Sequence, residues 1–262
     1  MLDSDLARAV AAPEAFLLDL IWCSLRTGGA LALLPALGGQ GVPVQVRVGL
    51  AGAIGLFVMT GADPPRPPDD LISLGGMVAA GGELLIGLAV AVALHAAFAA
   101  ALVAGEWISQ AMGLGFATVV NPGVGPMSVL SAVFLLLAWS LFLAAGGHLL
   151  VIEVLVESYR AMPSAGALLE PERLSIIIAW GGFAMASGLI AALPLGGAML
   201  LLNIVIAMAA KSSPQLNLFA VGFPLMLLVG IAGLPLALPG MAASLGNTLL
   251  DLQGAIRSLI LG

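Results

Sequence analysis

The chain has 262 residues, 61% of them hydrophobic and only 8% charged, with a formal net charge of −6 and a mean hydropathy of +1.16. A soluble domain carries about 25% charged residues, so this chain lacks the polar side chains to cover a globule, and its apolar surface must face lipid or other subunits. There is no basic patch to hold nucleic acid. The lone cysteine, Cys23, excludes an internal disulfide and a cysteine-based metal site.

Residues 1–15 set Asp3, Asp5 and Glu14 against Arg8, and no small-residue cleavage site follows the next apolar run. That opening does not read as a signal peptide. Six or seven apolar segments follow, at 16–37, 44–60, 71–104, 127–152, 174–193, 195–210 and 218–245. Spanning a bilayer takes about 20 apolar residues as a helix, which the first, third, fourth and last of these supply. Only Glu83 and His95 interrupt the third, and Gly81-Gly82 is its expected weak point. Pro194 alone separates the fifth from the sixth, which predicts two short helices or one kinked helix. The fold class is therefore all-α, a multi-helix integral membrane protein or core subunit of a membrane complex.

Three linkers stand out. Residues 63–70 are proline-rich and charged, hence extended and solvent-facing. Residues 157–173 carry Glu157, Arg160, Glu170, Glu172 and Arg173 and read as a second aqueous loop. Residues 105–126 form a third break, rich in glycine with Pro122 and Pro126, yet nearly uncharged, which is odd for a loop in water. Small residues at helical spacing, Ala184, Gly188 and Ala192 on one face and Gly49, Gly52 and Gly55 on another, suit close helix approach.

Arg26, Arg47, Glu83, Glu106, His148 and Asn203 lie in or beside apolar runs. A charge at mid-bilayer costs about 3 kcal/mol or more, so such a residue faces a partner or a water path. A proton or ion relay is one reading. Structural pairing, such as Arg26 or Arg47 with a carboxylate, is favoured because these positions form no chain at helical spacing. Motifs for a zinc protease, a nucleophile elbow or a phosphate loop are missing, so an enzyme is not expected. No cofactor or metal is expected either. The most informative stretch is Ser212-Ser213-Pro214-Gln215-Leu216-Asn217-Leu218-Phe219, followed by Gly222-Phe223-Pro224. Here Pro214 ends one helix near Lys211 and polar amides are squeezed between hydrocarbon-grade segments.

The order of these features resembles the FliR family of type III export-gate components, whose virulence-secretion relatives are called SctT, SpaR or YscT. Arg26, Leu34-Pro35-Ala36-Leu37-Gly38, Pro43 and Arg47 look like the family's N-terminal signature. Glu83 with Gly87 looks like its Glu-x-x-x-Gly element, Gly105 to Gly115 with Asn121-Pro122 like its central glycine-rich segment, and Gly147-His148 like its Gly-His pair. Pro194, Asn203 and the Pro214 to Pro224 stretch look like its C-terminal signature. Lys211, Asn121 and Gly146 depart from the usual Arg, Asp and Asp.

The resemblance implies a non-enzymatic subunit of an export gate in the bacterial inner membrane, within the flagellar basal body or type III export apparatus, with flagellar versions the nearer likeness. It implies FliP-like, FliQ-like and FlhB-like partners and unfolded protein substrates. It also implies a FliP-like part at 1–173 followed by a FliQ-like hairpin and tail at 174–262. A plug loop would close the pore within residues 105–126, formed by Met112, Gly113, Leu114, Gly115, Phe116, Asn121, Pro122 and Gly123. Subunit or gate contacts would fall on Arg26, Arg47, Glu83, Asn203, Lys211, Pro214, Gln215, Asn217 and Phe219. A secondary transporter of a small solute is the alternative, since broken helices with polar residues at mid-depth would serve it.

Overall fold

A computed structural model describes residues 11–35, 42–61, 64, 66–68, 70–115, 127–164, 166, 168, 170–212 and 221–261. Among them are seven α-helices and no strand. These are α1 (Pro13–Leu33), α2 (Val44–Gly61), α3 (Leu74–Ala111), α4 (Val129–Ala144), α5 (Gly147–Ala161), α6 (Pro171–Ser212) and α7 (Phe223–Leu261). Five are long and apolar enough to cross a membrane, or up to six spans if α4 and α5 count as one broken span.

The apolar segments are thus right in kind, but several ends differ from expectation. Gly81-Gly82 does not interrupt α3, which runs unbroken for 38 residues. A glycine costs a helix about 1 kcal/mol relative to alanine, whereas a broken turn in an apolar medium leaves several polar backbone groups unpaired. Residues 105–111, read as part of a break, are helical for the same reason. Pro194 lies inside the single 42-residue α6, so one helix rather than two short ones is realised. The fourth segment, by contrast, is divided at Gly146, whose φ of +71° favours glycine. That position also suits the family's usual Asp, one of the few other residues that enter this region readily.

Helix α5 extends to Ala161, so Glu157, Ser158, Tyr159 and Arg160 are helical rather than part of an aqueous loop. Helix α7 passes through Pro235 and Pro239 and beyond residue 245 to Leu261. Its last turns bury Leu252, Ile256, Leu259 and Ile260, an i, i+4, i+7, i+8 stripe. Arg173 donates to the Leu259 carbonyl at 2.6 Å, and Arg257 spans both Glu153 oxygens at 2.9 Å.

The chain packs as two compact units. The first comprises Met1–His95, Gly146–Trp180 and Leu252–Gly262, the second Ala96–Ala145 and Gly181–Asp251. In the first, Trp22, Cys23, Val58 and Tyr159 form a buried cluster with Leu25, Ile54 and Val156 against it. Cys23 packs there as a small apolar residue. In the second, Phe98 stacks on Trp139 at 4.3 Å between centroids, and Phe142 meets both edge-on at 5.6 and 5.7 Å. Where lipid is the solvent, the hydrophobic drive between helices fades and such close packing carries the association. The small-residue face of α6 serves this end, because a Cβ on Gly188 would come within 2.5 Å of the Ala100 carbonyl oxygen, and Ala184 and Ala192 are buried. On α2, Gly55 packs on Ser24 of α1, while Gly49 and Gly52 have open space around them.

Candidate functional site

In the second unit the residues of interest gather at the C-terminus of α3. A helix end leaves carbonyls without intrahelical donors, and here each of the last three is met. Leu114 N–H donates to Ser109 O at 2.9 Å and Gly113 N–H to Gln110 O at 3.0 Å. This six-residue closure requires a left-handed residue at its fifth position, and Gly113 fills it with φ +79°. The third carbonyl, on Ala111, accepts from Asn203 Nδ2 of α6 at 2.9 Å.

The turn after the helix is fixed by packing as well. Met112 is 1% exposed and its thioether lies against Gly230 of α7, where a Cβ would push the thioether aside. A Cβ on Gly113 would come within 3.1 Å of the Phe223 ring. Phe223, Met226 and Gly230 recur at i, i+3 and i+7, one stripe of α7. Gly115 lies over the Gln110 side chain, whose Nε2 donates to Glu106 Oε1 at 2.8 Å.

The start of α4 is tethered to the same stretch of α3. Ser128 caps it, its Oγ accepting from Ser131 N–H at 3.2 Å. Ser131 Oγ lies 3.2 Å from the Leu102 carbonyl and 3.3 Å from Glu106 Oε2. Gly105 makes this possible, since a Cβ there would overlap the Ser131 backbone. Gly105 is thus a contact residue in a helix, not the start of a loop. The two ends of the segment between α3 and α4 are therefore both held, one by Asn203 and α7, the other by Ser128, Ser131 and Glu106.

The first unit holds a buried polar hub. Arg26 of α1 is 0% exposed and Glu83 of α3 is 2% exposed. Arg26 Nε donates to Glu83 Oε2 at 2.8 Å and Nη2 to Oε1 at 3.0 Å, a two-pronged ion pair. Nη1 donates to Ser158 Oγ at 3.0 Å and Nη2 also to the Met162 carbonyl at 2.9 Å. The guanidinium carbon lies 4.2 Å from the centre of the Tyr159 ring. The Glu-x-x-x-Gly spacing now has a cause. Gly87, one turn from Glu83 on the same face, sits against the Arg26 carbonyl where no Cβ would fit. That close approach brings Glu83 within reach of the guanidinium. The carboxylate partner expected for an arginine in an apolar run is Glu83, placed within the chain.

Of the other sequence-derived positions, Arg47 in the first turn of α2 donates through Nη2 to the Val42 carbonyl at 3.0 Å. Lys211 is exposed in the last turn of α6. His95 and His148 are exposed, and among the described residues no group of His, Cys, Asp and Glu could hold a metal ion. Phe116, Asn121, Pro122, Gly123, Pro214, Gln215, Asn217 and Phe219 lie outside the described residues. Sequence reading missed Gly230, Met226, Ser158 and Tyr159. The α7 stripe was legible in its spacing, but Ser158 and Tyr159 were obscured by the surrounding charges.

Comparison with known proteins agrees with this picture. Residues 17–252 match the family described as bacterial export proteins, family 1. The chain is 34% identical over 221 residues to the flagellar biosynthetic protein FliR of Escherichia coli strain K12, covering 83% of each chain. It is 34% identical to the FliR of Pectobacterium carotovorum, covering 84% of each. It is 31% identical to that of Aquifex aeolicus, covering 91% of this chain and 92% of the other. On this match over most of its length, the chain belongs to the FliR family of bacterial export proteins.

Proposed function

We propose that the chain is a non-enzymatic subunit of the flagellar type III protein export gate in the bacterial inner membrane, within the flagellar basal body. The family match across residues 17–252 carries this reading, and no observation favours a solute transporter. In this proposal residues 1–173 form a FliP-like part and 174–262 a FliQ-like hairpin whose arms are α6 and α7. Its partners are FliP-like, FliQ-like and FlhB-like subunits, and unfolded proteins pass through the assembled channel.

The segment from Met112 to Gly125 acts as the plug of the resting pore. Its support is chemical: it bears no charged side chain, it is rich in glycine, and both flanking helices are anchored. A glycine-rich sequence between anchored helices suits a stopper that moves aside and returns. Lys211, Gln215 and Asn217 contact neighbouring subunits at the entrance, while Arg26 and Glu83 stabilise the first unit from within. Deleting residues 113–119 tests the plug. Rising ion leak and unregulated export are expected, and unchanged permeability with normal assembly would discard it. Native mass spectrometry of the tagged chain co-expressed with its genomic neighbours tests the gate itself. One copy bound to several copies of small membrane subunits is expected, and a lone chain or homodimer would overturn the assignment.

A further inference from the structure

Glu106 belongs to α3, yet it serves the start of α4. Its Oε2 lies 3.3 Å from the Oγ of Ser131 in the first turn of α4. The hydroxyl and backbone N–H of Ser128, the cap of that helix, are turned to the same carboxylate. A capping box places an acid three residues into its own helix to meet the N–H of the cap. Here that third position is Ser131, and the acid comes from a neighbouring helix. Gly105 allows the approach, since a Cβ there would overlap the Ser131 backbone. The N-terminal end of α4 favours the negative charge as well. The other oxygen, Oε1, accepts from Gln110 Nε2 at 2.8 Å. The Gln110 side chain in turn lies against Gly115, the last described residue before the segment between α3 and α4. One carboxylate thus serves both ends of that segment, whereas Asn203 and the α7 stripe hold only the first.

We propose that Glu106 is a positioning residue of the resting gate, a clasp from α3 that keeps the start of α4 and the Gln110–Gly115 turn at a fixed separation. This rests on the reading of the intervening segment as the plug, and it names the contact that holds the plug's two ends together. The clasp opens without unfolding either helix. The Ser131 hydroxyl has one proton and a second acceptor in reach, the Leu102 carbonyl at 3.2 Å. Ser128 Oγ meanwhile caps α4 through the Ser131 N–H. When Glu106 lets go, α4 therefore keeps both its cap and a hydrogen bond to α3, and only the link between the two ends is lost. Glu106 is half-buried and Gln110 exposed, so water satisfies the groups that part.

The test uses the full-length chain assembled with its co-expressed partners and reconstituted in vesicles. Ion leak, thermal midpoint and subunit stoichiometry are read on the same preparation. Glu106→Ala is expected to raise leak about ten-fold, the shift in a closed–open equilibrium that one lost hydrogen bond to a charged group produces. Its thermal midpoint is expected to stay within about 2 °C of wild type. Glu106→Gln keeps the shape but offers one carbonyl oxygen for two ends, and is expected to fall in between. Gln110→Leu with Ser131→Ala removes both partners and leaves Glu106 in place, and is expected to leak like Glu106→Ala. The deletion of residues 113–119 is measured alongside. If the deletion leaks while Glu106→Ala or the paired variant stays tight, the clasp is overturned and the plug stands. If the deletion does not leak, both fall. Leak that appears only together with lost subunits or a lowered thermal midpoint reports a structural role alone, and overturns the clasp too.

Discussion

Removing the Glu83 carboxylate is the sharpest test of the buried hub. Arg26 makes four hydrogen bonds, two of them to Glu83. In Glu83→Ala those two vanish, and a fully buried guanidinium keeps only Ser158 and Met162. Hydrogen bonds to charged groups contribute about 1.5–3 kcal/mol each, and deleting one partner of a buried pair costs about 3–5 kcal/mol. The two routes agree on about 4 kcal/mol. For a chain of this size 1 kcal/mol moves the thermal midpoint by about 2–4 °C, so a fall of roughly 6–20 °C is expected. Unfolding in detergent, followed by tryptophan fluorescence, reads it through Trp22 and Trp180, both buried in the same unit. Glu83→Gln, which retains the shape, is expected to fall in between. A paired apolar replacement, Arg26→Met with Glu83→Leu, is expected to recover most of the loss, because no uncompensated charge remains. A single Glu83→Ala variant melting with wild type would refute the reasoning, as would a paired variant worse than either single one.

Other outcomes follow from single contacts. Asn203→Leu leaves the Ala111 carbonyl without its amide, a cost of about 1–3 kcal/mol, and is expected to lower the thermal midpoint and raise ion leak in reconstituted vesicles. Gly113→Val forces a β-branched residue to φ +79° and against Phe223, so it is expected to destabilise more than Gly113→Asn, in the same melting assay. Gly81→Ala and Gly87→Ala should move in opposite directions. The first has open space and gains about 0.5–1 kcal/mol, while the second overlaps the Arg26 carbonyl and loses about 1–3 kcal/mol or more. Gln215→Ala with Asn217→Ala is expected to reduce recovery of the assembled gate on native gels, and full recovery with normal motility counts against contacts there.

The class, the approximate number of helices and the family were legible in one dimension. Those rest on composition and on local rules, since apolar runs of spanning length form helices wherever lipid or packed subunits replace water. The residue pattern also marked Arg26, Glu83, Asn203 and Gly113 as unusual, because charge, amide and glycine in hydrocarbon are each costly without a purpose. What that purpose is emerged from the folded contacts. Gly81 and Gly87 look alike in one dimension, yet one faces open space and the other lets α3 touch the Arg26 backbone. Gly105 reads as a break, yet it is where Ser131 presses on an intact helix. Asn203 and Ala111 are far apart in the chain and meet because the end of α3 lies beside α6. The periodicity of a helix is written in its own residues, whereas which of its faces meets a neighbour depends on segments far away in sequence, and only folding brings those together.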